Sequence, residues 1–568
     1  MSSGKEPGAS DVLKQADQVL DAARRLMNRA LRALHQRASQ GTRVSPDKMD
    51  GFQSVCYDVA LSASEQTAAR AITHYARRAR NAQKAAQAAP SLEERMASLF
   101  AAETVRNLWS RVAFRTEDFG LTPDDLAGTL DRPDVHAFCS DQVAGSNLAA
   151  LADSVLQEGG TTGVCLLEEK QEQIRQTFRS FADRVVFPLA DRIHRENRLV
   201  PDEILQPLRE MGVFGLSIPK RFGGQQSDDR DDTLSMILAT EELSRGSLGA
   251  AGSLITRPEI LARALQAGGT EEQQAHWLPQ LATGETLGAV AVTEPDYGSD
   301  VASMKVKAER TDRGWLLNGT KTWSTFSGKA NLLLVLARTE PDPALGHKGL
   351  SLFLAEKPSF DGLEFEHVQP GGGRIRGGAI PAIGYRGMHS FWIVFQDYFV
   401  PDACLLGGEA GLGKGFYYLM AGFSGGRIQT AARAVGVMQA AFEQACSYAA
   451  KRTAFGKPIG DYQLTKVKIA RMATWLAASR QFTYAVARMM DRGEGQLEAN
   501  MVKLFTCKAA EWITREAMQI HGAKGYAEGS PVSRHFVDAR VLSIFEGTEE
   551  ILAIKVIARS LIEKGAFD

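Results

Sequence analysis

Residues 311–326 read Thr311-Asp-Arg-Gly-Trp-Leu-Leu-Asn-Gly-Thr-Lys-Thr-Trp-Ser-Thr-Phe326. Aromatic and β-branched residues crowd this stretch, and two turn signals, Asp312-Arg313-Gly314 and Asn318-Gly319, punctuate it. That combination predicts strands joined by hairpin connections. The same language continues on both sides, through Ala289–Val292, Leu332–Leu336 and Leu350–Leu354, so a sheet is expected over residues 288–407.

Working outward, short apolar runs give way to the helical period of 3.6. Residues 11–158 are rich in Ala, Arg, Gln and Leu, with Val12, Ala16, Val19 and Leu20 at helical spacing. Arg24, Arg25, Arg29 and Arg32 in this region are interleaved with acids and read as a solvated helix face rather than a polyanion site. A second helical block runs from about 167 to 286, and four helical segments follow the sheet near 427–451, 461–491, 496–521 and 548–564, as in a helix bundle. The expected divisions are 1–158, a helical extension; 159–287, a helical domain; 288–407, a β domain; and 408–568, a C-terminal bundle. The fold class is mainly α with a central β domain. A nucleotide-binding parallel fold would alternate strand and helix instead. Gly411-Leu-Gly-Lys-Gly415 lacks the strand-to-helix setting that a dinucleotide-binding glycine loop needs.

Lys plus Arg number 66 against 67 Asp plus Glu, so no global field draws the chain to nucleic acid or an anionic membrane, and an anionic ligand must be met by local cations. The six cysteines show no CxxC spacing, which fits neither a zinc site nor a disulfide framework. No stretch has the apolar length of a membrane span, and the first thirty residues carry charges throughout without the apolar core of a signal peptide. A cytoplasmic protein with no metal is the expectation.

Four stretches carry chemistry. In Val290-Ala-Val-Thr-Glu-Pro-Asp-Tyr-Gly-Ser-Asp300, Thr293 offers a hydroxyl, Pro295 sets a turn and Gly298-Ser299 lets the main chain approach a ligand, although such residues also serve turns alone. In Gly319-Thr-Lys-Thr-Trp-Ser-Thr-Phe-Ser327, Trp323 is a flat apolar wall or a core residue, and Thr325 is a hydrogen-bonding hydroxyl. Lys451-Arg-Thr-Ala-Phe-Gly-Lys-Pro458 places Arg452, whose planar fork suits a pyrophosphate, ahead of Gln463, with Gln519-Ile-His-Gly-Ala-Lys-Gly525 further on. Last comes Ile544-Phe-Glu-Gly-Thr-Glu-Glu-Ile551. Helix capping alone explains Thr548, Glu549 and Glu550. Glu546 is different, because it precedes the helix between an apolar pair and a glycine, a setting able to raise a carboxylate toward the range of a general base.

In combination these stretches resemble the acyl-CoA dehydrogenase family over roughly residues 167–564. The resemblance implies a helical domain, a β-barrel or sheet domain and a C-terminal four-helix bundle, with FAD as cofactor. It implies that Glu546 removes the α-proton of an acyl-CoA thioester. Val292, Thr293 and Ser299 then meet the flavin and the CoA side, Trp323 and Thr325 lie against the ring, and Arg452, Phe455, Gln463, Gln519, Gly522 and Thr548 hold FAD. Some of these contacts cross between subunits of a homodimer or homotetramer. Ser299, Arg427 and Gly547 border the substrate, and electrons pass to an electron-transfer flavoprotein. Ala454 and Ala523 depart from residues common in relatives and are assigned no role.

The extension before residue 160 and the run Pro370-Gly-Gly-Gly-Arg-Ile-Arg-Gly-Gly378 are most similar to a family member acting on a short, branched, dicarboxylic acyl-CoA. A second carboxylate needs a buried cation. Arg245, in Leu243-Ser-Arg-Gly-Ser247, is the first candidate and Arg257 the reserve. An acyl-CoA oxidase, another short-chain acyl-CoA dehydrogenase and a non-catalytic flavoprotein are the alternatives.

Overall fold

The computed structural model describes residues 9–40, 43–83 and 89–567. They form two compact units, each discontinuous in sequence. One contains residues up to Glu169 with Val437–Met489 and Gly495–Asp568; the other contains Lys170–Gly436 with Met490–Glu494.

In the first unit the long helices Ala9–Ala38, Gln53–Gln83 and Leu92–Val112 bury stripes at helical spacing, such as Leu13, Ala16, Leu20, Ala23, Met27, Leu31 and Leu34. Arg24, Arg25, Arg29 and Arg32 are exposed, and Arg29 pairs with Asp125 at 2.6 Å, so this face is the solvated one. Ser91 and Glu94 form a reciprocal cap that starts the third helix. That helix presents Phe100 edge-on to Trp475 and Phe505, with ring centroids 5.4 and 5.6 Å away. The extension therefore shares one core with the C-terminal helices Gln463–Met490 and Gln496–His521. Sequence periodicity predicts four helices after the sheet. The structure adds Pro531–Leu542, which opens with Ser530 and a proline at its first turn, and the helix expected from 427 starts at Gly415.

In the second unit an eight-stranded sheet runs in the order Gly288–Ala291, Leu332–Arg338, Lys307–Thr311, Gly314–Thr325, Ser390–Pro401, Arg374–Ala379, Glu364–Val368, with Leu350–Glu356 also paired to Leu332–Arg338. Leu332 to Ala337 are all buried, because helices such as Thr256–Gly268 and Glu271–Thr283 contribute Leu261, Leu265, Trp277 and Leu281 to the same core.

Asp312-Arg313 does connect two antiparallel strands. Asn318-Gly319 does not turn the chain; both residues lie inside Gly314–Thr325. The pairing skips there, leaving two residues of the neighbouring strand unmatched between Phe395 and Tyr398. The Asn318 amide fills the gap by accepting from Asp397 N at 2.8 Å and donating to Asp397 Oδ1 at 3.0 Å. The glycine run 370–378 is also part of the sheet: Gln369 N donates to Gly373 O across its turn at 2.7 Å. A Cβ at Gly377 or Gly378 would strike the Phe365 or Trp392 ring at 2.6 or 2.7 Å, so these glycines are required by packing.

Candidate functional site

In the second unit, the stretch after Gly288–Ala291 lies beside the end of Gly314–Thr325. Thr322 N donates to Thr293 O at 2.8 Å, and Ser324 Oγ donates to Val290 O at 2.8 Å. Between Lys321 and Ser324 the pairing with Ser390–Pro401 skips, so Thr322 and Trp323 together face Trp392 alone. This second bulge puts Trp323 at φ 54° with 57% of its surface exposed. A bulky aromatic in the left-handed region is a strained outlier. Thr325 is buried with its hydroxyl 3.0 Å from Ser390 Oγ. Val292 is buried, Thr293 half-buried and Ser299 exposed on the following loop.

Beneath this surface lies a pair that sequence reading passes over. Lys321 and Glu294 are both buried, and Lys321 Nζ donates to Glu294 Oε1 and to Val292 O, each at 2.9 Å. Glu294 also accepts from Lys305 N at 2.7 Å and Val306 N at 2.8 Å. Burial pushes the Lys321 ammonium down to about 8 even with Glu294 opposing it. The pair spans 27 positions in sequence, and no spacing rule flags it.

Arg245 and Arg257 are both buried, on Thr233–Gly246 and Thr256–Gly268. Arg245 Nε donates to Glu242 Oε2 at 3.2 Å and its Nη2 to Asp183, so the guanidinium already holds two carboxylates. Burial, then the Glu241 charge, raises the Glu242 carboxyl above its usual range. Arg427 is half-buried on Gly415–Lys451.

In the first unit, Arg452 follows the helix that ends at Lys451 and opens a short hairpin in which Thr453–Ala454 pair with Lys457–Pro458. Its two-residue turn has Phe455 at φ 50° and Gly456 at φ 86°. The Phe455 ring is 99% exposed, and Arg452 beside it is exposed too. A bulky aromatic in that conformation is a backbone outlier of the kind that motivates a functional reading. Tyr448, one turn earlier, stacks on His521 with centroids 4.3 Å apart, which brings the hairpin next to the corner carrying exposed Gln519 and Gly522. Gly522 has φ 60° and ψ −145°, a conformation that essentially requires glycine. Gln463 is exposed at the start of its helix.

Glu546 lies on the connection between Pro531–Leu542 and Glu549–Ile551, half-buried at φ 57° and followed by Gly547 at φ 95°. Two consecutive left-handed residues turn the chain sharply. The turn is fastened by Glu549 N donating to Ser543 O at 3.1 Å and by fully buried Lys503, whose Nζ donates to Gly547 O at 2.6 Å. Thr548 caps the next helix by accepting from Ile551 N at 3.4 Å. Among the described residues there is no cluster of three His, Cys, Asp or Glu fit for a metal, and no helix long and apolar enough to cross a membrane. None of the six cysteines is joined in a disulfide.

Comparison with known proteins matches three family models in succession: acyl-CoA dehydrogenase, N-terminal domain, at residues 168–285; middle domain, at 289–397; and C-terminal domain, at 413–562. The (2S)-methylsuccinyl-CoA dehydrogenase of Cereibacter sphaeroides is 44% identical over 405 residues, covering 71% of each chain. Among solved structures, the glutaryl-coenzyme A dehydrogenase glutaryl-CoA complex is 30% identical with a TM-score of 0.64, over 71% of this chain and 98% of that one. A glutaryl-CoA dehydrogenase from Mycobacterium smegmatis in complex with FADH2 is 26% identical with a TM-score of 0.62, over 71% and 97%.

Proposed function

The chain belongs to the acyl-CoA dehydrogenase family, FAD-dependent oxidoreductases acting on acyl-CoA, and from that premise we propose that it desaturates a short, branched acyl-CoA bearing a second carboxylate, (2S)-methylsuccinyl-CoA, to mesaconyl-CoA. The observation that carries the chemistry is the strained Glu546: a half-buried carboxylate outside any helix, held at φ 57° by a turn that Lys503 secures. A general base must be fixed where the proton leaves, and strain of this kind persists where the surroundings enforce it.

The donor set fits FAD. Exposed Trp323 supplies a flat apolar wall, Thr293 and Thr325 supply hydroxyls, and Lys451, Arg452 and Lys457 gather positive charge without an intervening acid, as a pyrophosphate requires. Phe455, Gln463, Gln519, Gly522 and Thr548 complete the proposed cofactor set, part of it serving a neighbouring subunit of a homodimer or homotetramer. When bound, FAD takes up the hydride that leaves Cβ. Glu546 removes the α-proton through its carboxylate. Its main-chain N–H, as the resemblance implies, donates to the thioester oxygen and stabilises the charge that gathers there.

Ser299, Arg427 and Gly547 border the acyl-CoA in this reading. The far carboxylate is met by Arg245, with Arg257 in reserve; both are buried, and a carboxylate brought into such surroundings needs a cation beside it. The identity to a methylsuccinyl-CoA enzyme supports this substrate. Electrons leave to an electron-transfer flavoprotein, in the cytoplasm. The test is anaerobic mixing of the purified protein with methylsuccinyl-, glutaryl-, isovaleryl- and butyryl-CoA while flavin absorbance is followed. Fastest bleaching by methylsuccinyl-CoA is expected; bleaching by none refutes the activity, and peroxide release in air identifies an oxidase instead.

A further inference from the structure

We propose that the N-terminal extension positions the catalytic turn, with Tyr57 as a strut acting on Glu546 through Glu549. The inference rests on Glu546 being the base. It starts from a mechanical requirement: the carboxylate is carried by a strained turn outside any helix, so its position follows that of the turn, and misplacement by about 1 Å costs on the order of 100-fold in rate. Such a group needs props from outside its own segment.

The first unit supplies three. Lys503, from Gln496–His521, holds the carbonyl of Gly547 immediately after the base. The other two come from the extension. Tyr57, on Gln53–Gln83, donates its hydroxyl to Glu549 Oε1 at 3.3 Å, across 492 positions of sequence, and accepts from Lys508 Nζ at 2.8 Å. Lys508 Nζ is itself 3.5 Å from Glu549 Oε1, which closes a three-membered cluster. Asp50 Oδ1 pairs with Lys555 Nζ at 2.7 Å, six residues further along the chain than Glu549.

Glu549 is the residue that matters in this arrangement, because its backbone N–H ties to Ser543 O and so shuts the turn of residues 543–549 around Glu546. Fixing the Glu549 side chain fixes the far end of that turn. The electrostatics are set for permanence. Burial raises the Tyr57 phenol, so it stays a donor; burial works against the Lys508 charge, but Tyr57 and Glu549 outweigh it and hold the ammonium above its ordinary range. Residues before 168 lie outside the family-matched part of the chain, so this support is additional to the matched architecture.

The experiment uses full-length, flavin-loaded protein and five variants: Tyr57→Phe, Glu549→Ala, Glu549→Gln, the Tyr57→Phe/Glu549→Ala double variant and Glu546→Gln. Each is mixed anaerobically with the acyl-CoA that bleaches the flavin fastest, and its thermal unfolding is recorded. Tyr57→Phe, which keeps the ring and loses only the hydroxyl, is expected to slow flavin reduction at saturating substrate by about tenfold, between no effect and the 100-fold of a full displacement, with the half-saturating concentration and Tm unchanged. The double variant should be no slower than Glu549→Ala alone, since the two residues act through each other. A Glu549→Gln variant, which keeps an acceptor for the hydroxyl, should recover most of the rate. If Glu546→Gln reduces flavin normally, the base assignment fails and the strut with it. If Glu546→Gln is inactive while Tyr57→Phe reduces flavin at the parental rate, loses only Tm, or multiplies with Glu549→Ala, the strut alone is overturned.

Discussion

Lys321 Nζ lies 2.9 Å from Glu294 Oε1, with neither side chain at the surface, and this ion pair ties together the two stretches that carry Thr293 and Trp323. Removing one partner of a buried pair leaves the other uncompensated, at about 3–5 kcal/mol. Lys321→Met is therefore expected to lower Tm sharply and to reduce the flavin bound per chain, because Val292 O and Glu294 both lose their shared donor. The double variant with Glu294→Gln should regain part of the stability. Thermal unfolding and the ratio of flavin to protein absorbance measure both, and an unaltered single variant would show that the two stretches hold their shape without the pair.

Glu546→Gln preserves shape and backbone but removes the basic oxygen. Substrate binding should persist, while flavin reduction falls by the roughly 100- to 10,000-fold of a lost general base. Rapid-mixing absorbance separates the two. Near-parental reduction would remove Glu546 from the chemistry.

Arg245→Met and Arg257→Met distinguish a carboxylate anchor from a structural cation. The anchor's loss should weaken methylsuccinyl-CoA by about 2–5 kcal/mol while sparing butyryl-CoA. Arg245 already engages Glu242 and Asp183, so its variant should also lower Tm. Equal losses on both acyl-CoAs assign the residue to the fold alone.

Lys357 gives a pH signature. Its Nζ is buried and donates to Gly328 O at 3.0 Å and Pro358 O at 2.9 Å, and desolvation pushes it from 10.5 down to about 7. Between those values the unfolded chain holds a proton that the folded chain does not, so this group's contribution to stability rises with pH across that window. The Tm of the parent protein relative to Lys357→Met should therefore increase from about pH 7 to about pH 9. A difference that stays flat over this range would contradict the assigned shift.

The order of helices, sheet and helices is legible in the sequence because burial marks each differently: Leu332–Leu336 is a short continuous apolar run, whereas Leu13–Leu34 carries the helical period. Asn318-Gly319 misleads because its local chemistry suits a tight turn equally well, and only the partner strand, through Asp397, decides for a bulge. Pro531–Leu542 carries a readable start in Ser530-Pro531 but is short beside its neighbours. For the site, the motifs mark Trp323, Arg452 and Glu546, whereas the features that make each distinctive are not sequence properties. The left-handed φ at Trp323 comes from a bulge, and the contacts to the residues that follow Glu546 come from Lys503 on Gly547 O and Tyr57 on Glu549, far away along the chain.

The compact unit that joins the extension to the C-terminal helices has a consequence for biosynthesis. His35 Nδ1 meets Ile562 O, and Asn28 Nδ2 meets Phe567 O, across 527 and 539 positions. The N-terminal helices must wait for their C-terminal partners until Lys170–Gly436 has been translated, on the order of 15–50 s at about 5–20 residues per second. Through that interval the helix Ala9–Ala38 lacks its contacts with the C-terminal helices, so this unit is completed only when they dock onto helices made well before them, and a slowed or truncated chain would expose the extension to chaperones and to self-association.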